Sequence, residues 1–141
     1  MHTDTYTQAA EAELTSVGFT ALKTAKDVVD HFTHQAAGNT LLVINSMCGC
    51  AGPGARLAIT RALEVIRKSS QPTHLVTVLA GVDVEATTQV QEYIKPYLLS
   101  SPAVALIGDG EVLHFVERHQ IKGQPIELLA EAFATILEEH N

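Results

Sequence analysis

Two thiols separated by a single glycine, Cys48 and Cys50, are the only cysteines in a chain of 141 residues. They sit in VINSMCGCAGPGAR, Val43 to Arg56, between an apolar run and a helix-like one. A thiol is inert and a thiolate attacks, so a reactive cysteine needs surroundings that favour the anion. The start of a helix is such a place, because backbone N–H groups without intrahelical partners and the helix dipole both stabilise negative charge. The small residues of AGPG make an open loop that leaves the sulfur of Cys48 accessible to another molecule. A disulfide wants Cα atoms about 4.4–6.8 Å apart, which residues two positions apart meet only in a bent chain, and Gly49 permits the bend. The ring so formed is small, and strain in it would make the disulfide easier to reduce, as suits one that forms and breaks during turnover.

Two other readings compete. The cysteines could be inert core residues, although the flanking glycines speak for a loop. They could also bind a metal, but zinc usually takes four ligands and a CxC pair supplies two. The seven histidines (His2, His31, His34, His74, His114, His119 and His140) could add ligands, and none stands at a metal-site spacing from the cysteines. The site therefore reads as thiol exchange with no metal.

The elements that must position the pair follow from periodicity. Residues Tyr6 to Thr15 have helix-forming composition, and GFTAL (18–22) is a short strand candidate. Thr24 opens a helix as N-cap with Asp27 three residues on, and that helix carries Val28, Val29 and Phe32 to a stop near Gly38. Leu41 to Asn45 is a continuous apolar run, which predicts a strand buried on both faces. A helix after Pro53 runs to about Ser69, with Ala58, Ile59, Ala62, Leu63, Val65 and Ile66 on one face and Arg56, Thr60, Glu64, Arg67 and Lys68 on the other. His74 to Ala80 is another buried strand, and Asp83 caps a helix from Val84 to Tyr93. Ala103 to Ile107 and Val112 to Glu117 form a hairpin about Asp109-Gly110, and Pro125 starts a last helix.

After the first helix the order is β-α-β-α-β-α-β-β-α. Such alternation predicts an α/β fold with a mainly parallel central sheet, to which the hairpin adds an antiparallel edge. In these sheets chemistry gathers at the carboxyl ends of central strands, and the cysteines stand there, as in the thioredoxin-like plan. Pro102, at the start of the strand after the third helix, is expected beside the redox loop. A cis bond there would let Ser101 present its backbone to a substrate, whereas an ordinary strand-start proline would not. The expected organisation is a single domain over 1–141, with residues 1–16 as an N-terminal helical extension.

Nine Lys and Arg against sixteen Asp and Glu give a net charge of −7 with His neutral, which argues against a nucleic-acid partner. The apolar runs LLVI and AVALI are too short to span a bilayer. The N-terminal MHTDTYTQAAEAEL is polar and acidic, so the expected location is the cytoplasm, where a close cysteine pair reads as redox chemistry or metal binding. From His31 to Leu63 there is no Asp or Glu, so the thiols occupy an acid-free window that also holds Arg56 and Arg61.

NSMCGCAGPGAR resembles the active-site segment of the bacilliredoxins, small thioredoxin-like proteins. ELTSVGFTALKTAKDV, GVDVEATTQVQEY and SSPAVALIGDGEVLHFVERHQIKG resemble further blocks of that family, in order, from about Glu13 to Ile136. The resemblance implies an oxidoreductase that removes bacillithiol from S-bacillithiolated client proteins in oxidative stress. Cys48 matches the nucleophile, Cys50 the resolving thiol and Pro102 the fold's cis-proline. Gly49, Arg56, Ser101 and Pro102 then fall among the substrate-binding positions. Bacillithiol is the implied co-substrate, with no bound cofactor, and the implied reducing partner is a bacillithiol disulfide reductase. The alternatives are a general disulfide isomerase or reductase and a metal-binding CxC module. Two departures stand out. Leu57 follows Arg56 where many members have proline, which places an apolar side chain in the polar arc near the thiols. No third cysteine is present near EEHN, so resolution falls to Cys50, free bacillithiol or a partner. The roles of Arg118 and His119 stay open, with His119 read as structural or surface rather than an acid–base group.

Overall fold

A computed structural model of the chain describes residues 5–34, 37–47, 49 and 51–140. Five strands form one sheet in the order β1-β3-β2-β4-β5, with β1 at Thr20–Ala21, β2 at Thr40–Asn45, β3 at His74–Leu79, β4 at Ala103–Gly108 and β5 at Glu111–Val116. β3 pairs in parallel with both β1 and β2. β4 pairs antiparallel with β2 and with β5, so four strands share one direction and β4 runs against them. This is the mostly parallel α/β sheet expected, in a thioredoxin-like arrangement. The reversal lies inside the sheet at β4 rather than at its edge, because β4 pairs with the central strand β2 and β5 turns back outside it.

Every residue of β2 is buried, and its side chains alternate between two cores. Leu41 and Val43 join α1 (Thr5–Thr15), α3 (Gly52–Val65) and α6 (Ile126–Glu139) on one face. Leu42 and Ile44 join α2 (Ala25–His34) and α4 (Val84–Val90) on the other. Burying one such side chain contributes about 1.5–3 kcal/mol, so a strand covered on both sides is a rigid base for the loop that leaves it. Leu129, Phe133 and Leu137, four residues apart on α6, are buried in the core shared with α3.

The capping expected at Thr24 is present in both directions. The Asp27 N–H donates to Thr24 Oγ1 at 3.0 Å and the Thr24 N–H donates to Asp27 Oδ2 at 3.2 Å. Asp109 and Gly110 both take positive φ, 53° and 77°, the geometry of a tight two-residue hairpin turn. Several details differ. β1 is only two residues long, although the Leu22 N–H extends its ladder to the Thr77 carbonyl. α3 stops at Val65, where Ile66 becomes extended and the Gln71 side chain donates to the Leu63 carbonyl at 2.6 Å. Val65, expected on the apolar face, is 73% exposed, and Arg56, expected on the polar face, is buried. Asp83 stands at the N-cap of α4 but makes no side-chain cap, because its carboxylate is turned to Lys23 at 3.4 Å. That helix ends at Val90 and continues as a 3₁₀ turn to Tyr93. A short helix absent from the sequence reading, α5 at Arg118–Ile121, follows β5 with a reciprocal Glu117–Gln120 cap.

Candidate active site

Asn45 and Ser46 end the central strand and are buried, at 1% and 4% exposure. Cys48 and Cys50 lie outside the described residues, and the site is built here from what frames them. Gly49 is exposed, with no atom within 4 Å of the place its Cβ would take. Ala51 then turns the chain into α3, a helix of 14 residues with Pro53 in its first turn and no side-chain cap at its N-terminus. Such a terminus leaves backbone N–H groups to favour an anion.

The segment leading to the thiols is fixed from below. Arg56, in the first turns of α3, donates from Nη1 to Asn45 Oδ1 at 3.1 Å and to the Ser46 carbonyl at 2.8 Å. Its Nε donates to Glu13 Oε1 on α1 at 2.7 Å. Asn45 in turn donates to the Ala10 carbonyl at 3.1 Å and accepts from the Ser46 N–H at 2.9 Å. Gly52 completes the fit, because a Cβ there would lie 2.5 Å from the Ser46 carbonyl oxygen. These contacts tie α1, the end of β2 and the start of α3 together.

The reversed strand brings the second expected feature to the same place. Ala103 pairs with Ile44, so the start of β4 lies beside the end of β2. The Ser101–Pro102 bond there is cis, and Pro102 is buried. Val116 pairs with Val104, and the Arg118 N–H lies 3.3 Å from Ser100 Oγ. The far end of β5 is therefore at the Asn45 end of the sheet, and Arg118 and His119 follow it there. His119 is exposed. Leu57 is 41% exposed, as its place in the polar arc suggested. Arg56 is placed at this end too, but its side chain is 4% exposed and engaged by three groups, which leaves little of it to offer a substrate. A cavity of about 550 Å³ between Phe32, Tyr93, Ile107 and Asp109 lies at the opposite end of the sheet. Among the described residues no three His, Cys, Asp or Glu side chains are grouped to hold a metal ion.

Sequence reasoning missed Glu13 and the tying role of Asn45. A partner 43 residues away cannot be found from local spacing. The available signal was an arginine at the start of a helix whose next turns are apolar.

A thioredoxin-like sheet with a CxC segment leaving its central strand defines a thiol–disulfide oxidoreductase. The sequence profile of the family described as disulphide isomerase matches residues 2–141. A bacilliredoxin of Cytophaga hutchinsonii is 43% identical over 129 residues, covering 92% of each chain. One of Bacillus thuringiensis subsp. konkukian is 44% identical over 128 residues, 90% of this chain and 85% of the relative. One of Geobacillus kaustophilus is 40% identical over 133 residues, 94% of this chain and 90% of the relative. The chain belongs to the disulphide isomerase family, with bacilliredoxins among its relatives.

Proposed function

We propose that the chain removes bacillithiol from S-bacillithiolated protein cysteines, in the cytoplasm. The observation that carries this reading is the similarity to bacilliredoxins over nine-tenths of the chain, joined to the CGC at the end of the buried central strand. The Cys48 thiolate attacks the bacillithiol sulfur of the mixed disulfide. A new S–S bond joins Cys48 to bacillithiol, and the client sulfur leaves as a thiolate that takes up a proton. The Cys50 thiolate then attacks Cys48, the bacillithiol thiolate leaves, and an internal disulfide remains. The two protein thiols are oxidised by two electrons and the client disulfide is reduced by two. A dithiol or thiol reductant, such as a bacillithiol disulfide reductase with its co-substrate, returns the pair to the reduced state. Exchange of this kind needs a thiolate and a good leaving group rather than a side-chain base. Ser101, Pro102 and Gly49 flank the incoming disulfide.

The test is a trap. Cys50→Ser, mixed with a bacillithiol-capped peptide, should gain one bacillithiol at Cys48 by intact mass, while the wild type should end as an internal disulfide. Wild-type protein that leaves the cap in place yet reshuffles ordinary protein disulfides would overturn the bacillithiol assignment. That outcome would favour the second reading, a general disulfide isomerase, which the family description supports. Stoichiometric metal held through the cysteines in anaerobically purified protein would sink both.

A further inference from the structure

We propose that Arg56 is a positioning residue for the nucleophilic thiol and that Glu13, on α1, sets how much of its positive charge that thiol feels. The inference rests on the reading of Cys48 as the attacking group. Arg56 is 3% exposed, and its guanidinium is bonded to the Ser46 carbonyl at 2.8 Å. Two peptide units separate Ser46 from Cys48, at most about 7.6 Å between their Cα atoms. A buried cation bonded to the backbone that leads to the thiol would favour the thiolate. The same guanidinium spans Asn45 and Ser46, so it also holds the segment that precedes Cys48 in the chain.

Glu13 is the counter-charge. Its carboxylate accepts from Arg56 Nε at 2.7 Å, yet its side chain is 53% exposed, so water screens it more than it screens Arg56. The other charges on the helices packed against α3 are engaged elsewhere or lie in exposed positions. On α1, Glu11 is paired with Lys23. On α6, Glu127 lies 3.6 Å from Arg61, Glu138 bonds Arg67, Glu131 is exposed and Glu139 is in the last turn. β2 carries no charged residue, and Arg118 of α5 stands by Ser100 at the same end of the sheet. α1 adds a second tether, with the Tyr6 hydroxyl 3.5 Å from the Met47 carbonyl, one residue before the thiol.

The two partners should act with opposite sign. Removing the Glu13 charge leaves Arg56 unopposed and favours the thiolate. Removing the Arg56 charge disfavours it. A loss of structure alone would push both variants the same way. The experiment measures iodoacetamide alkylation of reduced full-length protein against pH, with Cys50→Ser as the common background and the product located by mass. At about pH 6, Glu13→Gln should react roughly two- to threefold faster than the background protein and Arg56→Met roughly three- to tenfold slower, with the plateaus at high pH nearly equal. Arg56→Lys, which keeps the charge and loses the fork, should recover part of the loss. Circular dichroism confirms that each variant is folded. Should Arg56→Met be unfolded, the direction of Glu13→Gln and the recovery in Arg56→Lys decide. Profiles that shift in the same direction for Glu13→Gln and Arg56→Met, or not at all, overturn the proposal. Alkylation uses no disulfide substrate, so its result stands apart from the trap: a failed trap with opposed shifts would remove the bacillithiol assignment and leave the charge pair in place.

Discussion

Gly52 and Gly49 lie on either side of the second cysteine and do different work. At Gly52 an added Cβ meets the backbone oxygen of Ser46 at 2.5 Å, and a backbone atom held by Arg56 cannot swing aside. Gly52→Ala should therefore cost about 1–3 kcal/mol, through the displacement of α3 from the end of β2. At Gly49 the same methyl meets nothing within 4 Å, so Gly49→Ala should leave stability within about 0.5 kcal/mol of wild type. Urea unfolding of the two variants in parallel checks this, and equal losses would show that the close approach at Gly52 has been misjudged. At this scale two cysteines separated by one residue ahead of a helix point to thiol chemistry from the chain alone, and α3 does begin at Gly52 as that reading needs. Arg56 was legible as a nearby cation, but its burial was not. Helical periodicity assigns it to the polar face, and only the distant carboxylate of Glu13 and the acceptors at the end of β2 make an interior position tolerable for a guanidinium.

Helix α2 shows what one cap contributes to an element. Thr24 Oγ1 accepts from the Asp27 N–H, and the Asp27 carboxylate accepts from the N–H groups of Lys23 and Thr24. Thr24→Ala should lower stability by about 0.5–2 kcal/mol, read from the urea midpoint, with no change in the rate at which Cys48 is alkylated. A variant that alters that rate would mean that α2 communicates with the redox loop. Elements of this kind were plain in the sequence because their signals are local: a capping pair, a turn that needs positive φ, a run buried on both faces. The position of the reversal in the sheet was not, since strand order is decided by which faces pack after the chain has folded back. The end of α3 was overrun for a related reason. Ile66 continues the apolar period, but it reaches the core from an extended backbone, so periodicity alone cannot tell it from another helical residue. α5 does carry a local signal, Glu117 three residues before Gln120, but the strand pattern claims Glu117 as its last residue.

Across the molecule, acid should act in two windows. His31 packs its ring on Phe32 and His74, with Nε2 3.1 Å from Thr40 Oγ1. Burial, and then the neighbouring His74, hold its pKa below the ordinary 6.5. The unfolded chain therefore takes up this proton first as pH falls, so stability declines from near the ordinary value and levels off below the folded one. Asp27, held down chiefly by the Lys23 N–H and then by Thr24, behaves at lower pH. Glu138, held down by the N–H and side chain of Arg67, belongs to the same window. What these carboxylates contribute is present above their ordinary values and is lost as pH falls through the folded ones. Urea midpoints for wild type and His31→Gln should part as pH falls from above the ordinary histidine value through the lowered folded one, where the variant's slope is shallower, and run parallel below it. An unchanged upper slope would show that His31 is not its source. The reversed strand has one last consequence, for how the protein can be handled. Because β4 runs against β2 and β3 runs with it, the turn at Asp109-Gly110 and the segment around Pro72 both lie past Thr40, more than five residue steps, about 17 Å, from Asn45 along the sheet. An affinity tag or a surface linker attached at that turn would immobilise the protein with the end of β2 and the exposed Gly49 turned away from the support.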